Sequence, residues 1–226
     1  IVDDAVTAAK INDDIISGST ELASEPADTD EFLVSDAGVL KRIDYSLIKA
    51  SPAMELLATT EASSDATVTF DGFFSSTYKN YLVVYSYVVP ATTSQYLVGR
   101  YRVSSSDVTT TYSTLMSTAG NTSGNSDSGS QGISNFDTTS FPLSMSTVNT
   151  TAWGGASGYF YLHNPLDTTH YKCINGQSMN FQSTTQQYLS NFAAVNRNST
   201  SALSGFTVYF GSGNIASGNF KLYGIK

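Results

Sequence analysis

The sequence predicts a mainly β protein: a C-terminal antiparallel β-sandwich, jelly-roll-like, preceded by a short helix-plus-hairpin stem. Three observations carry this. From residue 56 onward, short runs rich in Val, Tyr, Phe and Thr recur between turn signals, the pattern of a sandwich or jelly roll. Charged residues make up only 13% of the chain, while 34 Ser and 27 Thr supply polarity without charge; a coiled-coil rod needs the opposite composition. Third, charge divides the chain in two. Residues 1–50 hold 11 acids and 4 bases, net −7, and residues 51–226 hold 8 acids and 7 bases, net −1. The division places a stem at 1–50 and a head at 51–226, with the boundary near Ser51-Pro52.

In the stem, Ile1-Val2-Asp3-Asp4-Ala5-Val6-Thr7 lines up ten residues on with Ile11-Asn12-Asp13-Asp14-Ile15-Ile16-Ser17. Val2, Ala5, Val6, Ala9 and Ile16 sit near helical spacing, so 2–16 reads as a thin amphipathic helix ended by Gly18. Two apolar runs around Asp36-Ala37-Gly38 read as a β-hairpin, Gly38 supplying the positive φ of its turn. Asp44 is placed to cap a short helix through Ile48 with its carboxylate. Such pieces cannot bury a core of their own, so either the segment is disordered or several copies of the chain bury it together; the regular placement of its apolar residues favours the second.

The head yields eleven strand candidates: 66–71, 80–89, 95–103, 110–116, 141–148, 158–163, 170–175, 178–183, 187–195, 205–210 and 218–225. Pro90 ends its strand because it has no N–H for a ladder. Strand 80–89 is almost continuously apolar or aromatic, which predicts a central strand covered on both faces. Residues 117–135 hold one bulky apolar side chain in nineteen and read as a long loop, functional or variable.

Composition also narrows function. A net charge of −8 with no basic stripe argues against nucleic acid, and no run approaches the roughly 18 apolar residues of a membrane span. Cys173, the one cysteine, excludes an intrachain disulfide framework. Gly211-Ser212-Gly213-Asn214-Ile215-Ala216 follows a strand like a dinucleotide fingerprint, but a strand rather than a helix follows it, so a hairpin turn is the better reading. His163 and His170 bracket a turn and could face each other, yet two ligands do not close a metal site. Asp28-Thr29-Asp30-Glu31 lacks the glycine and distal Glu of a calcium loop. Gly-x-Ser-x-Gly is absent and the head holds only eight acids, so catalysis is not expected; carboxylates brought together from distant strands, as in glycosidases, stay open. No metal and no cofactor is expected. Binding candidates are Asn121, Asn125 and Asp127 of the 117–135 segment, Tyr112 in the strand before it, Trp153 in a Gly-rich turn, and His163 and His170. Trp153 could stack a sugar ring or pack under the sandwich rim.

Ala5-Val6-Thr7-Ala8-Ala9-Lys10-Ile11-Asn12-Asp13-Asp14 resembles repeats in the fibre proteins of tailed bacteriophages, marine ones especially. Residues 31–44 resemble the linker hairpin ahead of the distal domain in such fibres. Phe73-Phe74-Ser75-Ser76-Thr77-Tyr78-Lys79-Asn80-Tyr81-Leu82-Val83-Val84 and the ending Gly218-Asn219-Phe220-Lys221-Leu222-Tyr223-Gly224-Ile225-Lys226 are similar to their C-terminal sandwich. The resemblance covers 104–158 least and carries over no catalytic residue. It implies a homotrimeric virion fibre, extracellular, that contacts other tail or capsid proteins and attaches the particle to a host surface polysaccharide or protein receptor. Two further copies would then supply the partner that the stem lacks. A capsid-bound fibre or decoration protein without a receptor, and a glycan-degrading tailspike, are the alternatives. Ile1 suggests a chain that starts within a longer polypeptide or after processing.

Overall fold

The computed structural model describes residues 17–122, 131–144, 146–150, 154–183, 186–197 and 199–226, with backbone alone for 121–122 and 131–137. The chain forms two compact units, Ile1–Pro52 and Ala53–Lys226. The helix expected over 2–16 lies outside the described residues.

In the first unit, β1 (Glu31–Asp36) pairs antiparallel with β2 (Val39–Asp44) through a two-residue turn. Ala37 (φ 50°) and Gly38 (φ 84°) both take positive φ, the twist-matched turn that a two-residue hairpin favours. Asp44 occupies the N-cap position of α1 (Tyr45–Ile48), but its carboxylate makes no capping bond. The cap comes instead from backbone carbonyls: Tyr45 N–H donates to Asp30 O at 2.8 Å and Ser46 N–H to Asp28 O at 3.2 Å. None of residues 17–52 is buried. Leu33, Val39, Leu40 and Leu47 are 60–73% exposed, and ion pairs Lys41–Asp36 and Arg42–Glu31 cross the hairpin.

The second unit is mainly β, with two antiparallel sheets around one core. The smaller sheet has the order β10 (Phe141–Pro142), β6 (Leu97–Val103), β14 (Gly205–Phe210), β4 (Val68–Asp71), with β7 (Ser106–Asp107) on β6. The larger runs β3 (Met54–Asp65), β15 (Ile215–Ile225), β5 (Asn80–Pro90), β11 (Gly155–His163), β12 (Cys173–Ser183), β13 (Gln186–Asn196), β8 (Tyr112–Thr122), β9 (Gln131–Thr138). Rings close the space between them: Phe160 meets Phe206 at 5.5 Å and Phe141 at 6.1 Å, and Tyr101 meets Tyr112 at 5.5 Å. Each such fully buried side chain contributes roughly 1.5–3 kcal/mol over its exposed state.

Several expectations are corrected. The 117–135 segment is not one long loop: 117–122 and 131–135 are strand, paired as the β8–β9 hairpin. The proposed strands 170–175 and 178–183 are one, β12, since Gly176 continues the ladder to both neighbours. Strand 141–148 shortens to two residues, and β3, absent from the candidates, is twelve residues long. Gly211–Asn214 is no hairpin turn, because β14 and β15 belong to different sheets; it carries the chain from one layer to the other. β5 is central as expected, but only one of its faces is buried.

At Tyr87 the ladder breaks. β5 places two residues, Ser86 and Tyr87, between its pairings to Gly158 and Ala156, where β11 has one. A matching irregularity faces β15 between Ser217 and Asn219. The extra residue puts Tyr87 at φ 51°, with its side chain 76% exposed. Room is made by glycines: a Cβ at Gly155 would sit 3.3 Å from the Tyr87 carbonyl carbon, and one at Gly218 2.9 Å from Val88 Cα.

Candidate ligand-binding face

β11 reads Tyr-Phe-Tyr-Leu-His over 159–163, and the period-two geometry of a strand sends alternate side chains to opposite faces. Phe160 and Leu162 are fully buried. Tyr159, Tyr161 and His163 therefore line up on the open face of the larger sheet. Tyr159 and Tyr161 meet edge-on at 6.0 Å, and Tyr161 and His163 stack at 6.3 Å with planes 19° apart.

Register extends this row sideways. Tyr161 pairs with Leu82 and Asn175, and onward through Tyr223, Ala193 and Leu115. Tyr159 pairs with Val84 and Gln177, and onward through Lys221, Asn191 and Ser117. Across these two rows, among the described side chains, the single charged group is Lys221. Amides hold the pattern in place. His163 Nε2 lies 2.6 Å from Asn175 Oδ1 and Nδ1 lies 3.3 Å from Asn80 Oδ1, so the imidazole is gripped from two strands. Gln177 Nε2–H donates to Asn191 Oδ1 at 3.0 Å. Beyond Asn175 the same face dips into an apolar hollow of about 240 Å3, lined by Leu115, Cys173, Ala193 and Val195. Ring faces, carboxamides and a small apolar hollow together can grip a molecule that is hydroxylated on one side and apolar on the other.

Comparison with protein-family models, with curated proteins and with solved structures found no match. The reading of this face therefore rests on its geometry.

The sequence-derived candidates fall in different places. His163 belongs to the aromatic row. His170 lies in the loop between β11 and β12, its Nδ1 3.0 Å from Asp167 Oδ2. Asp167 also accepts the N–H groups of Thr169 and His170, and these bonds hold its carboxyl well below the usual carboxylate range, Thr169 contributing most. The same loop is pinned by Lys172, 2% exposed, whose ammonium donates to His170 O at 2.9 Å and Thr200 O at 3.0 Å; burial lowers its pKa. Each histidine is thus committed to its own partners, and among the described residues no cluster of three His, Cys, Asp or Glu could hold a metal.

Tyr112 is corrected from surface candidate to core residue. It is fully buried, its hydroxyl accepting from Tyr101 N–H at 2.8 Å and donating to Val108 O at 3.0 Å. Asn121 contributes backbone to β8 opposite Gln187; its side chain, and the whole of Asn125, Asp127 and Trp153, lie outside the described residues. Sequence reasoning missed Tyr159 and Tyr161. The signal was present in the alternation over 159–163, where three rings share one parity.

Proposed function

We propose that the chain is a virion fibre protein of a tailed phage, homotrimeric, whose β-sandwich head attaches the particle to a host cell-surface glycan. The observation that carries this reading is the first unit: a hairpin and helix in which none of the described residues is buried. Exposed apolar groups gathered on one small segment mark an interaction surface, and two further copies of the same segment would cover it. The head adds a charge-poor aromatic face. Rings there stack on the apolar side of a sugar, amides take its hydroxyls, and the scarcity of charge keeps binding insensitive to salt. Three copies on one axis raise effective concentration, so each site can be shallow.

The test joins assembly to attachment. The full chain is sedimented at micromolar concentration and then used to compete with particles for host cells. A trimer that blocks adsorption, and loses that ability when Tyr159 and Tyr161 are both replaced by Ala, is the expected outcome. A stable folded monomer overturns the fibre reading. A trimer that never competes, found on the capsid shell of intact particles, points instead to a decoration protein.

A further inference from the structure

A second concavity lies beside β6, β10 and β14, with Gly211, the first residue of the Gly211–Ala216 motif, at its lining. It measures about 530 Å3 and its lining includes Tyr96, Arg100, Thr139, Ser140, Ser144 and Tyr209; ligand sites typically hold roughly 300–1,000 Å3. Arg100 and Tyr209 come from neighbouring strands of the smaller sheet. The Arg100 guanidinium carbon sits 4.7 Å from the Tyr209 ring centroid, a cation–π contact that orients the planar fork. Its Nε–H donates to Thr139 O at 3.0 Å. One N–H is thus fixed, and of the two terminal nitrogens Nη1 lies 4.0 Å from Asp107 Oδ2, beyond hydrogen-bond distance.

Charge accounting picks out Arg100. Among the described side chains the acid nearest to it, Asp107, is claimed by Arg102, whose Nη1 lies 2.6 Å from Asp107 Oδ1, and by the Thr207 hydroxyl at 3.0 Å. Arg100 reaches Asp107 only at 4.0 Å. Arg102 has a second carboxylate, Asp71, at 3.5 Å. Of the two guanidinium groups, Arg100 has the weaker anionic partner and is the one that lines the cleft. Around it stand hydroxyl groups and Tyr96, half exposed, whose ring can carry an apolar sugar face.

We propose that this cleft binds an acidic sugar, a uronic acid residue, with Arg100 taking the carboxylate and Tyr96 supporting the ring. A guanidinium fork matches a carboxylate bidentately, and the surrounding hydroxyl groups suit a pyranose rather than a bare anion. That the sugar comes from a host surface rests on the fibre reading; the site itself does not, and the experiment separates the two.

Methyl β-D-glucuronide, methyl β-D-glucoside and acetate are titrated into the full chain, followed by saturation-transfer difference NMR and calorimetry. The glucuronide is expected to saturate, with the glucoside and acetate each at least about tenfold weaker. Arg100→Gln should cost about tenfold or more in glucuronide affinity, and Arg100→Lys should recover only part of it because a point charge lacks the fork. Tyr96→Ala should weaken binding without disturbing Arg100; if Arg100→Gln does not fold, this variant decides. Equal binding of glucoside and glucuronide, or undiminished binding by Arg100→Gln or Tyr96→Ala, overturns the proposal. Acetate as tight as the glucuronide overturns the sugar. Glucuronide binding by a chain that fails to compete with particles leaves this site standing and removes the fibre reading.

Discussion

Two residues show how closely the backbone of the larger sheet is drawn. A Cβ at Gly176 would lie 2.1 Å from Tyr159 O and 2.8 Å from Phe160 Cα. Gly176→Ala must therefore push β12 away from β11 and is expected to destabilise by about 2 kcal/mol, read as a lower urea midpoint. The same displacement shifts Tyr159, so ligand binding at the aromatic row should fall with it. Tyr87 shows the reverse. A bulky residue at positive φ costs roughly 1–2 kcal/mol, more than the roughly 0.5–1 kcal/mol that glycine loses to chain entropy. Tyr87→Gly should consequently raise stability by about 0.5–1 kcal/mol in the same urea experiment. An unchanged or lower midpoint would show that the Tyr87 ring contributes more to the fold than its exposure suggests.

Elements differ in how much of themselves they disclose in sequence. The β1–β2 hairpin was legible because Ala37-Gly38 is local turn chemistry, and β11 because its rings and aliphatics alternate. The end of β8 and the whole of β9 were not: their Ser, Thr, Gly and Asn residues look like loop, and only the partner strand's ladder makes them sheet. Tyr112 was misplaced for a related reason, since one aromatic at the start of a polar strand does not reveal which face it takes. Asp44 stood at the expected cap position but two carbonyls from 28 and 30 had already satisfied the helix donors, a contact between separate segments that spacing does not encode. For the hairpin itself, Leu33 and Leu40 lie on one face by register and are exposed. In the proposed trimer, replacing both with Asp should give monomers in sedimentation equilibrium while the head keeps its thermal midpoint; a trimer that survives both changes would move the proposed contact to another part of the chain.

For the molecule as a whole, the sheet assignment of each strand was the hidden quantity. β14 and β15 are separated by four residues yet belong to opposite layers, and nothing in Gly211-Ser212-Gly213-Asn214 says so. The core that joins the layers is rich in tyrosine, and this sets an alkaline limit. Burial raises the phenol pKa of Tyr85, Tyr101 and Tyr112 above the ordinary value near 10.0. A group whose folded pKa is raised stabilises fully below its unfolded pKa and loses that contribution as pH climbs toward the folded one. Stability should therefore hold up to about pH 10 and decline above it, with phenolate absorbance appearing together with unfolding. Titration of all tyrosines before any loss of β structure would contradict a sealed aromatic core.

Cys173 stands exposed at the start of β12, on the wall of the apolar hollow, and no other sulfhydryl exists in the chain. Burial nevertheless pushes its thiol pKa up, so maleimide coupling should quicken as the medium is made more alkaline. A nitroxide attached there reports one position per polypeptide. Pulsed dipolar spectroscopy would then return a single distance for a symmetric threefold particle and none for isolated chains, giving a ruler for association that needs no change to the natural sequence.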